Sequence, residues 1–250
     1  MIDPKLRVLC LDIEGGYGGS SRSLFESLAH MGRRTIEPTV WCKRDGPIQA
    51  KYETLGISVS VRPEMPKVSS LPRLSRNIFV YAQFLKDWIG ARAFRRALAK
   101  AANDVDVVHF NHEALFLLAR WLKPRTDAAL SMHIRTNLYG TPFCRWQERM
   151  IAKTLDHLVF ITENERHSLK RLSGLNPDGT VIHNIVEATA AEPHPAVLND
   201  GRFKIACLSN FAWVRGVDRT AEIATVLRDK NRRDVLFVMA GNMEISRSLP

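Results

Sequence analysis

The sequence predicts an α/β protein: a parallel sheet wound on both faces by helices, followed by the opening of a second unit of the same kind. Three observations lead there. Short runs rich in Val, Ile and Leu alternate with amphipathic stretches from the first residues onward. The runs are apolar and β-branched, as strands covered on both faces are. The strand and helix rhythm breaks once, over EATAAEPHPAVLNDGR, and then resumes.

The first strand, RVLCLDI (7–13), runs into the glycine-rich EGGYGGSS and an amphipathic segment at 20–31. PTVWCK (38–43) and ISVSV (57–61) supply the next two strands. Residues 62–100 form a basic focus, with nine Lys/Arg against two Asp/Glu, interleaved with Phe79, Tyr81, Phe84, Trp88 and Phe94. Pro63, Pro66 and Pro72 open this segment as a loop. The spacing of Leu74, Ile78, Tyr81, Leu85, Trp88, Ile89 and Ala93 then predicts one helix over 74–100, with that stripe on the core and a solvated basic face. DVVHF (106–110), a helix at 113–122, AALSMH (128–133), HLVFIT (157–162), a helix at 163–172 and TVIHNIV (180–186) complete the first domain, 1–187. A linker at 188–201, with two prolines and no sustained periodicity, leads to FKIACLSN (203–210), a helix over 217–230 and DVLFVMAGN (234–242). Two strands and a helix do not bury both faces of a parallel sheet, so 202–250 is expected to be the truncated start of a second domain.

Composition narrows the function classes. With 250 residues, 45% hydrophobic and 25% charged, the chain holds one full core and part of another. Its longest apolar runs, LDHLVFI and DVLFVMAG, are far short of the roughly 20 residues that span a bilayer, and no charged-then-apolar leader opens it, so a cytoplasmic protein is expected. Cys10, Cys42, Cys144 and Cys207 are scattered without a CxxC pair or histidines at ligand spacing, which points to reduced thiols and to no metal. A formal charge of +10 attracts nucleic acid, anionic lipid and phosphorylated small molecules alike. No nucleic-acid-binding module accompanies it, so no nucleic acid is expected as a partner.

The glycine turn is the first candidate site. Glycines at the carboxyl end of a strand, opening a helix, let a ligand approach the backbone and offer helix N–H groups to an anion. The spacing Gly16-x-Gly18-x-x-Ser21 lacks the third glycine of a dinucleotide fingerprint, and taken alone an ordinary βα turn explains it equally well. An oxidoreductase with Lys43 and Arg44 near a ribose phosphate stays open as a rival on these residues. In ALSMHIRTN, His133 and Arg135 leave a strand where open α/β sheets place ligands, although a lone histidine at a strand end is more often structural. In DVVHFNHE, His109 and His112 flank Asn111 with no third ligand for a metal, leaving acceptor contact or helix capping by Asn111.

The order of these motifs resembles glycosyltransferase family 4, of GT-B fold. Gly18, Gly19, Arg22, His30 and Gly32 are similar to its opening turn and helix; TLDHLVFITENERHSLKRL and VIHNIVE, with Asn184, to its crossover; CLSNFAWVRGVDR and FVMAGN to the start of its donor domain. The copy departs at Ile185 and Glu187, where glycine and Asp are usual, at Asn210 in place of the first of two basic residues, and at Met243. The resemblance implies retaining transfer of a sugar from a nucleotide-sugar donor to a hydroxyl, without a cofactor. It assigns His133 to the reacting centre, Gly18, Gly19, Asn210, Arg215 and Gly241 to the donor, and Asn111, His112 and Arg135 to the acceptor. The implied acceptor is a cell-surface or lipid-linked glycan, with Arg92, Arg95, Arg96 and Lys100 facing anionic headgroups on the inner face of the membrane. The family's downstream Glu motif falls outside these residues, which keeps open a non-catalytic truncated protein that binds an acceptor, a membrane surface or a partner.

Overall fold

A computed structural model describes residues 5–16, 18–31, 35–68, 78–138, 140–185, 201–209 and 216–241. The chain divides into two compact units, Met1–Val186 and Glu187–Pro250.

In the first unit the strands are β1 (Leu6–Asp12), β2 (Ile36–Cys42), β3 (Ser58–Val61), β4 (Val107–Phe110), β5 (Ala129–Ile134), β6 (His157–Phe160) and β7 (Gly179–Val181). They form one parallel sheet in the order β3-β2-β1-β4-β5-β6-β7. The helices are α1 (Gly19–Met31), α2 (Ile48–Thr54), α3 (Ile78–Gly90), α4 (Arg92–Ala102), α5 (Phe116–Leu122), α6 (Pro142–Thr154) and α7 (Glu163–Ser173). The alternation of a strand builds two cores. Leu9 and Leu11 of β1 join Phe94, Leu98, Phe110, Leu118 and Leu130 on one face, while Cys10 joins Leu24, Val40, Ile48 and Tyr52 on the other. Burial pushes the thiols of Cys10 and Cys42 up to about 12, so both stay protonated at neutral pH.

Helix α7 is written in its own residues. Thr162 caps Asn164 N–H at 3.1 Å and bonds Glu165, acids occupy the first turn, Lys170 and Arg171 the last, and Gly174 leaves at φ 71°. At the opposite ends of the strands, Asp106 accepts from the Arg7 backbone N–H (2.7 Å) and Asp156 from that of Leu130 (2.8 Å), tying neighbouring strands at their starts.

The helix expected over 74–100 is broken. α3 ends at Gly90 and α4 begins at Arg92, with Ala91 at ψ 18° between them. The expected apolar stripe does not face the core as a whole: Phe84 and Trp88 pack against it, whereas Leu85 and Ile89 are 56% and 60% exposed. Leu74 lies outside the described residues, as do the side chains of Ile78 and Tyr81. Arg95 is not a free headgroup ligand either, because its guanidinium stacks on Trp88 (4.3 Å) and Trp121 (5.5 Å). Arg92, Arg96 and Lys100 do lie exposed, opposite the buried Phe94, Leu98 and Ala102.

The second unit shows β8 (Phe203–Leu208) and β9 (Val235–Ala240) paired in parallel, joined through α8 (Val217–Asp229). No described helix is long and apolar enough to cross a membrane.

Candidate functional site

The strand order reverses direction between β1 and β4, so their carboxyl ends frame the switch point where open α/β sheets place ligands. Asp12 ends β1 and Asn111 follows β4, and both side chains are completely buried. Asn111 Nδ2 donates to Asp12 Oδ1 (3.3 Å) and to the Ser20 carbonyl (3.1 Å), while its Oδ1 accepts from Arg135 Nη2. Arg135 Nε donates to the Asn111 carbonyl at 2.8 Å. Every polar atom of the Asn111 side chain is therefore engaged inside the protein. Its assignment to the acceptor gives way to holding the turn and Arg135 together. Nor does it cap the next helix: His112 does, its Nδ1 accepting from Ala114 N–H at 3.0 Å.

His133, at the end of β5, is 6% exposed. Arg135 Nη2 lies 3.1 Å from its Nδ1. A guanidinium only donates, so Nδ1 is the acceptor and the ring hydrogen sits on Nε2. That Nε2 is buried with no partner among the described residues. Burial, with the charge on Arg135, drives the ring pKa down to about 2, and the neighbouring His109 ring, edge-on at 5.9 Å, falls to about 4 for the same reasons. His133 is thus a fixed neutral tautomer with one unused donor, which makes it a hydrogen-bond donor rather than a base. Burial lowers the Arg135 pKa to about 10, opposed by Asp12 and Glu113, so its charge persists at neutral pH. Glu113 is buried, accepts from the Arg135 backbone N–H (3.1 Å) and bonds the Thr136 hydroxyl. Burial raises the Asp12 pKa against the pull of Ser21, Asn111, the Glu14 N–H and Arg135. The Ser21 hydroxyl acts here without hydrogen-bond geometry, since it and Asp12 Oδ2 both lack a partner among the described residues.

The glycine turn divides into two roles. A Cβ on Gly15 would lie 2.1 Å from the Arg44 carbonyl oxygen, and one on Gly46 would lie 2.3 Å from that of Gly15. The loops after β1 and β2 therefore interlock backbone to backbone, and Ile48 N–H donates to Gly15 O at 3.2 Å. Gly18 and Gly19, by contrast, face open space, and Gly19 adopts φ 41°. The Gly18 carbonyl takes the first N–H groups of α1, from Ser21 and Arg22. Gly46→Ala is expected to destabilise the protein by about 2–3 kcal/mol, because a rigid backbone and not a side chain must yield. Gly18→Ala should cost well under half of that, and urea unfolding of the two variants measures the difference.

Lys43 Nζ is held by the Pro63 (2.8 Å) and Met65 carbonyls, and Arg44 faces Glu14 at 3.5 Å. Lys43 is thus committed to two carbonyls, and of the two cations weighed for a ribose phosphate only Arg44 stays at the surface. Asn184 accepts from the Ser23 hydroxyl at 2.8 Å, joining α1 to the segment after β7. Of the expected donor residues, Gly241 follows β9 in the second unit, and Asn210 and Arg215 lie outside the described residues. No group of three or more His, Cys, Asp or Glu among the described residues is placed to hold a metal.

The sequence pattern of Glycosyltransferase Family 4 matches residues 17–189, most of the chain. The chain belongs to glycosyltransferase family 4. Solved structures agree on the fold of this family 4 member. HepE from Anabaena, in complex with UDP-glucose, superposes with a TM-score of 0.59 at 13% identity, covering 95% of this chain and 70% of its own. The lipopolysaccharide outer core galactosyltransferase WaaB gives 0.55 at 11% identity, over 94% and 68%. The UDP-GlcNAc 2-epimerase of Neisseria meningitidis, bound to UDP-GlcNAc, gives 0.54 at 13%, over 96% and 67%. No curated protein sequence matches the chain. At these identities the likeness establishes a GT-B type, Rossmann-like fold. His133, expected at the reacting centre, and Asn111 and Arg135, expected at the acceptor, form one hydrogen-bonded cluster. Asp12 and Glu113, which join it, were not among the expected residues; their signals in the sequence are an acid ending an apolar strand directly before a glycine turn and an acid opening a helix after a strand.

Proposed function

We propose that this family 4 member transfers a sugar, with retention, from a nucleotide-sugar donor to a hydroxyl of a cell-surface or lipid-linked glycan. The observation that carries the reading is His133: a neutral imidazole, fixed by Arg135, whose Nε2–H is buried beside the switch point without an acceptor among the described residues. When the side chains covering it part, a donor-sugar oxygen completes that hydrogen bond and the sugar is oriented for reaction. The open turn at Gly18 and Gly19 and the start of α1 present backbone N–H groups and a positive helix end to the acceptor or to the donor phosphates. Arg215, with Asn210 and Gly241, is assigned to the departing diphosphate, where a planar cation stabilises the charge that develops as the glycosidic bond breaks. Arg135 acts through His133, and His112 is assigned to the acceptor side. Peripheral contact with an anionic membrane is proposed through exposed Arg92, Arg96 and Lys100 with the apolar Leu85 and Ile89.

The test is nucleoside diphosphate release, screened over common nucleotide sugars. Saturable release is expected, with Arg215→Ala lowering kcat about 100-fold, in the range of losing one charge-stabilising donor. An absence of release with every donor, together with no nucleotide binding by calorimetry, would move the reading to a non-catalytic binding protein.

A further inference from the structure

On the outer surface of α6 and α7 lies a hollow of about 550 Å³, lined by Gly140, Arg145, Trp146, Arg149, Arg171 and Gly174 among others. Its charge follows from helix geometry. Arg145 and Arg149 stand four residues apart on one face of α6, while Cys144, Gln147, Glu148 and Ile151 occupy the buried face. Arg171, in the last turn of α7, closes the other side.

Several exposed arginines elsewhere meet carboxylates, Arg7 with Asp106, Arg166 with Glu163, Arg219 with Glu222 and Arg232 with Asp234, although Arg92 and Arg96 of α4 meet none among the described residues. The side chains of Arg145, Arg149 and Arg171 meet none among the described residues. Arg171 has an ordinary reason to be where it is, since a cation complements a helix carboxyl end. Arg145 has the opposite relation to its helix: it sits in the first turns of α6, whose amino end is positive and whose first turn holds no acid. Two like charges four residues apart repel as well. The arrangement places like charge on like charge. Beside it, Trp146 remains 43% exposed while its ring is held by Phe116 (5.4 Å) and Phe143 (5.7 Å), so a fixed apolar surface adjoins the three guanidinium groups.

We propose that this hollow binds a phosphate-bearing carbohydrate, with the guanidinium forks of Arg145, Arg149 and Arg171 on the phosphate oxygens and Trp146 against the sugar ring. Guanidinium matches phosphate in bidentate fashion, and three cations over one small space suit a multiply charged ester better than a monoanion. The site is independent of sugar transfer, because it shares no residue with the cluster around His133. The same chemistry is offered by a free sugar phosphate and by a sugar-like phospholipid headgroup, and two probes separate them.

The full chain is titrated with fructose 1,6-bisphosphate by calorimetry, and in parallel sedimented with phosphatidylcholine vesicles containing phosphatidylinositol 4-phosphate. Saturable, salt-weakened binding of the soluble ester is expected, about tenfold weaker for each of Arg149→Ala and Arg171→Ala, the loss typical of one charge-assisted contact. Both residues are exposed, so unchanged thermal unfolding serves as the control for folding. Arg92→Ala with Arg96→Ala removes two exposed charges from α4 and should leave binding of the soluble ester within about twofold, which separates a built site from the general attraction of a basic protein. If the hollow serves a headgroup instead, Arg149→Ala and Arg171→Ala abolish the vesicle binding that remains in the Arg92→Ala, Arg96→Ala background, while the soluble ester binds weakly or not at all. Binding of both probes that is indifferent to Arg149 and Arg171, or no saturable binding of either, overturns the proposal.

Discussion

Arg135→Met is expected to lower turnover about 100-fold and to destabilise the first unit by about 2–4 kcal/mol. The side chain donates to the Asn111 carbonyl, to Asn111 Oδ1 and to His133 Nδ1, so its removal strands three acceptors at once. It also removes the positive charge that faces Asp12 and Glu113, and leaves those buried carboxyls with their hydrogen bonds but without that opposing charge. The stability loss sits below the full penalty for a broken buried pair because Arg135 keeps some contact with solvent. Turnover falls for a separate reason: His133 is no longer confined to the tautomer that carries hydrogen on Nε2.

That separate reason has its own readout. In the native protein the ¹⁵N shifts of His133 are expected to show an Nε2–H tautomer that does not titrate between about pH 5 and 9, as a pKa near 2 requires. In Arg135→Met the ring loses both the donor on Nδ1 and the charge that depressed it, so its pKa rises and a mixture of tautomers appears. A variant that merely loosens the fold would change stability without changing the tautomer. His133→Ala should match the loss of turnover with less loss of stability, since it leaves no buried charge behind. Equal kcat for His133→Ala and the native chain would remove His133 from the reaction altogether.

Much of the fold is legible because burial on both faces writes an unmistakable strand. RVLCLDI and AALSMH announce themselves, and alternation sends Leu9 and Leu11 to one core and Cys10 to the other. Two helices escape for physical reasons. α2 is seven residues long, too short to show a period. α6 hides its inner face because Gln147 and Glu148, not apolar residues, occupy it beside Cys144 and Ile151. The helix expected over 74–100 is an error of the opposite kind: its apolar residues continue past Gly90, but the chain turns there, and Leu85 and Ile89 stay outside. In the site, His133 is visible from its place at a strand end. Its meaning is not, because the tautomer depends on Arg135, and Arg135 on Asn111, 24 residues away just past the end of the neighbouring strand. Such pairing arises from strand order, which no local spacing encodes.

The polar interior of α6 carries the second large effect. Glu148 is 1% exposed and its Oε2 has no partner among the described residues, and burial, reinforced by Glu113, pushes its pKa up to about 8. A carboxyl that holds its proton more tightly when folded favours folding at low pH, and the advantage drains away as pH rises from about 4.5, where the unfolded chain ionises, to about 8. His133 and His109 act in the other direction. Their folded values, about 2 and about 4, lie below the ordinary 6.5, so their contribution is complete above pH 6.5 and declines as acid protonates the unfolded chain. Each group contributes a slope of about 1.4 kcal/mol per pH unit within its window. Between pH 4.5 and 6.5 the two histidines outweigh one carboxyl; above 6.5 the carboxyl acts alone. These three groups therefore place maximum stability near pH 6.5. Glu148→Gln keeps the shape of the neutral acid and removes only its proton equilibrium, so the decline above pH 6.5 should flatten. At pH 8 the variant should exceed the native chain by about 3–4 kcal/mol, while at pH 4.5 the two should agree within about 1 kcal/mol. Urea midpoints at pH 4.5, 6.5 and 8 decide it: parallel pH profiles for the two proteins would mean that Glu148 ionises freely in the folded state and that water reaches its carboxyl.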